Sequence, residues 1–382
     1  MPVLDLNKRI GIQDLGKWDA TSDSRLDIRV TRGASFEVGV DGVALGILHE
    51  LRLKSVEIDL QITFDPVDDL GRPTDFFQSL TGLSMLFSSA RISIVSDESS
   101  PKFAAPAARL WRYVVYCGGE IGDGQERLVV IRDPDYALPT HLQQGASAKF
   151  PFPDAFNQLL LRMSKSLADN LEFSGLPTDE AVVNFLYEAA LNSHEHGRFT
   201  AEYAQLKTIP STIRGFTLEK YRFNSRSELN SRTNLSPEVR QYFERAWPLG
   251  RAGASFLAAT VADVGPGIQN TLSSISQSED DWDRLERAFL PGVTRKPAGV
   301  AKGLGEGLPN IVSSAQRLNA LLLVCSGGLL GQYNLLSKQE GPLRLSRIHE
   351  SPNKRGGTSL TLVWPVLLGR SDQGELFGSS QA

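Results

Sequence analysis

The sequence predicts an α/β (α+β) protein of two units, and three observations carry that reading. The chain has 382 residues, the length of two domains at roughly 150 residues each. Its first part runs strand, helix, strand, an order that implies parallel strands. Its second part alternates helical patterns with apolar runs that end in glycine clusters, as strands leading into tight turns do.

The elements follow in chain order. Val56–Phe64 places apolar residues at every second position, a half-buried strand. After the turn-rich DPVDDLGRPTD, Phe76, Leu80, Leu83 and Phe87 recur at helical spacing with Thr74 as the expected N-cap. Arg91–Val95 is the next strand, parallel to the first. A strand pair is expected around Trp111–Tyr116 and Leu128–Ile131. Prolines and small polar residues then interrupt the pattern over Asp133–Pro153. This change sets an N-terminal α/β domain at 1–145 apart from a second domain at 150–368, with a frayed tail at 369–382. In the second domain Phe156, Leu159, Leu160, Met163, Leu167 and Leu171 form an amphipathic helix. A second helix follows Leu176-Pro177-Thr178 and ends at Gly197. Asn319–Ser337 is long enough to span a membrane, but its glycines, Gln332 and Asn334 make it strand, turn, strand instead.

Composition excludes several classes. The hydrophobic fraction is 41%, and with the 34 glycines it reaches about half, which is globular and not disordered, collagenous or rod-like. Forty Lys and Arg against forty-four Asp and Glu leave a net charge of −4, giving no general attraction to nucleic acid or anionic membrane. Cys117 and Cys325 sit inside apolar runs, so a reducing compartment is expected in place of a disulfide framework. The N-terminus lacks the order of a secretory signal, and the expectation is a soluble, cytoplasmic protein with no membrane association.

Three segments carry chemistry. In Glu188-Ala-Ala-Leu-Asn192-Ser-His-Glu-His196-Gly197, Glu188 and Asn192 leave one helix face, and a carboxylate beside an amide oxygen suits a hard cation with its water shell. Alone, such a stripe is ordinarily a solvated helix face. In Ala258–Ile268 an apolar strand ends in Asp263, and Gly265 and Gly267 let a flat ligand approach the backbone. Asp263 can accept from an exocyclic amine, although a plain tight turn after a buried strand has the same sequence. In Lys302-Gly303-Leu304-Gly305-Glu306-Gly307-Leu308, glycines precede a helix whose N-terminal N–H groups can meet a phosphate. It is not a G-x-x-x-x-G-K-[ST] loop, and no strand leads into it as a dinucleotide fold needs.

Taken together and in order, these segments resemble the motifs of the GHKL ATPases, the superfamily of gyrase, the ninety-kilodalton heat-shock chaperone, sensor histidine kinases and MutL. Glu188–His196 resembles the N box, Asp263–Gly267 the D-x-G-x-G box, Gly303–Leu308 the G-x-G-x-G-L box, and Gly356–Leu360 the closing G-T element. The resemblance covers 150–368. It implies a Bergerat-type sandwich with helices on one face of a mixed sheet, preceded by a smaller regulatory α/β domain.

It further implies ATP and Mg²⁺ as ligands. Asn192 would coordinate the metal, Asp263 the adenine amine, with Gly265 and Gly267 beside the base. Lys302, Gly303, Gly305, Gly307 and Leu308 would surround the phosphates, Thr358 would support the adenine side, and Glu188 would orient or deprotonate the attacking water. Arg295, Lys296 and Lys302 lie in the stretch matching the family's mobile lid.

The implied activity is ATP hydrolysis that switches contacts with an unidentified protein partner in regulation or signalling; the alternative is a protein kinase acting on Ser, Thr or His of a partner. With 382 − 358 = 24 residues after Thr358, no transducer domain is expected to follow. An N-terminal domain ahead of the nucleotide fold is the order of sensor kinases and serine-kinase switches. A homodimer is compatible with this reading.

Two further segments bear on it. His49-Glu50-Leu51-Arg52 resembles the start of a kinase phosphoacceptor box, but Leu53-Lys54 replace its Thr-Pro, and we read it as a chance match; Glu195 also stands where kinases commonly carry a base. The stretch 198–252 reads as an insertion, with ten Lys and Arg against five Asp and Glu over 197–251 and with Tyr221, Phe223, Tyr242, Phe243 and Trp247 interspersed. A decorated surface excursion is preferred there over a nucleic-acid site. The N-terminal domain resembles STAS-type regulatory domains in architecture alone.

Overall fold

The computed structural model describes residues 3–19, 24–64, 75–89, 91–94, 127–132, 180–197, 214–248, 251–272, 279–293, 305–335, 344–351 and 356–366. The chain is a mixed α/β protein built on two principal sheets.

The first comprises β1 (Val3–Leu6), β3 (Arg25–Val30), β5 (Glu57–Ile62) and β6 (Arg91–Ile94), in that order and parallel throughout, and a short pair, β2 (Arg9–Ile10) and β4 (Ser35–Phe36), stands apart. Helix α1 (Gly16–Asp19) precedes β3, and the crossovers carry α2 (Val40–Leu53) and α3 (Leu80–Ser88). In β5 the alternation buries Ile58, Leu60 and Ile62 as expected. Asp59, on the face the pattern leaves wet, is also buried, because the Arg25 guanidinium on β3 pairs with it. The cap of α3 differs from expectation: a 3₁₀ turn at Asp75–Gln78 intervenes, and the N-cap is Ser79, whose Oγ accepts from Gly82 N at 2.9 Å. Asp41 of α2 accepts from Leu80 N and Thr81 N, each at 2.9 Å, so the start of α3 is tied to α2. Burial pushes the Asp41 carboxyl up, and these donors oppose the shift.

The second sheet has seven strands: β7 (Arg127–Arg132), β8 (Arg214–Phe223), β9 (Ala254–Asp263), β10 (Leu321–Ser326), β11 (Leu329–Asn334), β12 (Ser346–Glu350) and β13 (Thr358–Pro365). Their order is β12-β11-β10-β13-β9-β8-β7, and every pairing is antiparallel, so the expected mixed sheet is antiparallel among the described residues. The strand expected around Leu128–Ile131 is β7, paired with β8, although it precedes the change in composition. The strand, glycine turn, strand reading of Asn319–Ser337 matches β10 and β11 around Gly327-Gly328. The expected helix over 156–171, the strand at 111–116, Cys117 and the tail lie outside the described residues.

Six helices accompany this sheet among the described residues: α4 (Glu180–His196), α5 (Arg226–Ser231), α6 (Pro237–Arg245), α7 (Ile268–Leu272), α8 (Asp281–Ala288) and α9 (Gly307–Arg317). Strand β9 shows how both faces are used. Leu257, Ala259 and Val261 join α4, α8 and α9 in one core, whereas Phe256 and Ala258 join Tyr242, Phe243 and Phe223 behind it. The expected surface excursion is thus partly core. Tyr221, Phe223, Tyr242, Phe243 and Trp247 are all buried, and β8 is an interior strand. Burying aromatic rings against a sheet is worth several kcal/mol, far more than their charged neighbours gain on the surface.

The rest of the back face is covered by α2. Leu45 packs with Ala262 and Val264, and Cys325 and Leu330 join the core of the first sheet. The approach is close: a Cβ on Gly42 would lie 2.0 Å from Ser359 Oγ, so only glycine fits there. No helix among the described residues is long and apolar enough to cross a membrane.

Candidate functional site

Three chain segments that are distant in sequence converge on a cavity of about 320 Å³. Its lining includes Glu188, Asn192, His196, Asp263, Gly267, Gly305, Gly307, Leu308 and Thr358. That volume lies at the lower end of the range in which small-molecule sites of roughly 300–1,000 Å³ fall.

Helix α4 supplies one wall. Its buried residues, among them Val182, Phe185, Leu186 and Ala189, fix it on the sheet, which leaves Glu188 and Asn192, one turn apart, facing α9. The first turn of α9 comes up against them: a Cβ on Gly307 would lie 3.1 Å from both Asn192 Nδ2 and Glu188 Oε2. Asn310 Nδ2 donates to Glu188 Oε1 at 3.2 Å. Burial raises the Glu188 carboxyl above the usual carboxylate range, the Asn310 bond opposes this, and the nearby Glu195 and Glu306 charges add to it. Asn192 Nδ2 is buried with no hydrogen-bond partner among the described residues. A buried amide without a partner marks a place where a ligand or water belongs.

The N-cap of α9, Glu306, makes no side-chain cap bond. No side-chain cap therefore covers the N–H groups of Gly307 and Leu308 at this helix end, where the dipole favours negative charge; Pro309 has no N–H. Leu308 is half-buried, packed on the core below.

At the other end, β9 delivers Asp263, which is 7% exposed. Asp263 Oδ1 accepts from Gly265 N at 2.9 Å and so holds the turn, as the tight-turn reading of this segment expects. The end of α4 packs on this turn, where a Cβ on Gly197 would lie 2.7 Å from Asp263 Cγ. Gly267 has φ 87°, a left-handed conformation that favours glycine. Behind it, Ile268 N donates to Ser326 Oγ and Ser326 Oγ to Gln269 Oε1, each at 2.7 Å. Thr358 pairs with Asp263 across β13 and β9.

Gly305 lines the cavity, its carbonyl accepting from Gly292 N at 3.1 Å. Lys302, Gly303, Arg295 and Lys296 lie outside the described residues.

The geometry brings Glu188, Asn192, Asp263, Gly267, Gly305, Gly307, Leu308 and Thr358 to the cavity lining, whereas Gly265, expected beside the base, is not among the lining residues and packs against Gly197. Sequence reasoning missed Asn310, Ser326 and Gln269. Asn310 had one usable signal, its place in the first turn of the helix after the glycines, whereas the Ser326–Gln269 bond joins positions with no sequence relation. His49 of the kinase-like segment is 5% exposed inside α2, under the second sheet.

Chemically, the cavity offers a helix N-terminus without a side-chain cap, a buried carboxylate acceptor and a carboxylate–amide pair. Among the described residues no group of three His, Cys, Asp or Glu side chains could hold a metal, so a cation here would depend on Asn192 and on ligand oxygens. No family model matches the chain, and no curated protein matches it.

Proposed function

We propose that this chain is an ATP-binding protein of the GHKL type and a Mg²⁺-dependent ATPase, whose nucleotide state switches contacts with a partner protein. The observation that carries the reading is the convergence of Glu188–Gly197, Asp263–Gly267 and Gly305–Leu308, with Thr358, on one cavity. The helices α4 and α9 on one face of an antiparallel sheet support a Bergerat-type sandwich.

In this reading Asp263 accepts from the adenine amine, Gly267 lies along the base, and the α9 end binds the phosphates. Lys302 and Gly303 belong to the same phosphate-binding segment. The orphaned Asn192 Nδ2 is a donor and suits an acceptor oxygen of the ligand or its water shell, while Asn192 Oδ1 would hold a hydrated metal together with ligand oxygens. Bound there, Mg²⁺ would supply charge neutralisation to the phosphates. Glu188, its carboxyl raised by burial and oriented by Asn310, holds the attacking water and takes its proton.

Purified protein with γ-labelled ATP tests the reading. Wild type releases labelled phosphate. Glu188→Ala still binds Mg-ATP and releases phosphate about 10²–10⁴-fold more slowly. Equal turnover by both proteins would remove the assigned role, and label moving to a partner would establish the kinase reading instead.

A further inference from the structure

We infer that Glu50, supplied by the N-terminal α/β unit, is a positioning residue of the base end of the nucleotide pocket; this rests on the function proposed above. The carboxylate lies on α2, 306 residues before the group it holds: Glu50 Oε1 accepts from Gly356 N at 3.0 Å.

Gly356 and Gly357 lead directly into Thr358 and are locked to the Asp263 turn. Gly357 N donates to Gly265 O, and a Cβ on Gly356 would come within 2.7 Å of that same carbonyl. The Glu50 contact is therefore one backbone step from the turn that carries Asp263 and Gly267.

Helix geometry explains why α2 can reach so far in. Gly42, Gly46 and Glu50 are spaced by four and share one face. Gly42 sits against Ser359, and a Cβ on Gly46 would be 3.5 Å from Gly356 O. Two residues without side chains bring the helix backbone down onto β13, and the third position on that face presents a carboxylate to an N–H that the strand ladder leaves over. A charged acceptor on a backbone N–H is among the stronger hydrogen bonds. This assigns a purpose to the segment His49–Arg52: it joins the N-terminal unit to the pocket, so the occupancy of the pocket depends on how that unit is docked.

The test uses the full chain, with binding isotherms for Mg-ATP, adenosine and magnesium tripolyphosphate on wild type, Glu50→Ala and Glu50→Gln. Glu50→Ala should weaken Mg-ATP and adenosine alike by about three- to tenfold and leave tripolyphosphate unchanged, because only the base end loses its support. Glu50→Gln keeps an acceptor oxygen and should bind within about twofold of wild type. Amide exchange at Gly356 without ligand should quicken in Glu50→Ala and not in Glu50→Gln.

A Glu50→Ala protein that binds adenosine as wild type does would overturn the inference. So would parallel losses for adenosine and tripolyphosphate, which mark general damage to the fold. Failure of the proposed function looks different: wild type itself would bind no Mg-ATP, and the inference would fall with it.

Discussion

Asp263 holds its own turn through Gly265 N, and in the proposed function its carboxylate also meets the ligand amine. These two duties respond differently to substitution. Asp263→Asn keeps an oxygen for Gly265 N, so melting temperature without ligand should change little. ATP affinity should fall by about ten- to hundredfold, the equivalent of roughly 1.5–3 kcal/mol for a charged acceptor lost. Asp263→Ala removes both oxygens and should lower stability as well, by about 1 kcal/mol. Calorimetry and nucleotide titration on both variants check this, and equal affinities for wild type and Asp263→Asn would remove Asp263 from base recognition. The carboxylate was legible as a candidate because an apolar run ending in Asp and glycines is a local pattern. Its bond to the turn was not, since the same letters fit a free or a bound carboxylate.

At the scale of elements, α2 was the least legible and does the most joining. It is buried nearly all round, from Val40 to Leu51, so it lacks the one-sided apolar stripe by which a helix is read. The resemblance of His49–Arg52 to a phosphoacceptor box drew attention to chemistry where the structure has packing. His49 is buried, with Nε2 unpartnered, and burial together with the charge of Arg52 lowers its pKa from 6.5 to about 4. The consequence for stability has a definite sign. Below pH 6.5 the unfolded chain takes up a proton at His49, and the folded chain does not until about pH 4. Stability is therefore full above 6.5 and declines as pH falls to about 4, by about 3 kcal/mol at roughly 1.4 kcal/mol per unit. Urea denaturation between these pH values should show the decline in wild type and a shallower one in His49→Gln. Identical slopes would mean that His49 titrates normally in the fold. Elements with strong local signals were read correctly: β5, β6 and the α4 boundary at Gly197 follow from alternation and a terminating glycine.

For the whole molecule, the parallel and antiparallel sheets share an interior. Cys325 and Leu330 belong to the apolar cluster of the first sheet, and Leu45 and Leu80 to a cluster with Ala262 and Val264. Composition suggested two domains joined by a linker. Two of the side-chain clusters bridge the sheets at the back face of β9, β10 and β13, which would otherwise be exposed apolar surface. Units that share buried apolar contacts are expected to lose them together on unfolding. Trp18 lies in the first unit and Trp247 and Trp364 in the second, all buried. Variants keeping one of these tryptophans at a time should give coincident denaturation midpoints. Separate midpoints would show two independently stable units. Long-range sharing of this kind is invisible to periodicity, which reports that a face is buried and not what buries it.

The bond between Gly292 N and Gly305 O has a consequence for chain length. Both feet of the segment between them are fixed by the scaffold, so the entropy of closing that loop is met once, whatever its sequence. Each doubling of a flexible loop then adds only about 0.6 kcal/mol. The anchorage of the two feet and the number of residues between them are thereby uncoupled. Lengthening the segment by grafting would alter what it can touch while leaving the anchorage of α9 as it is.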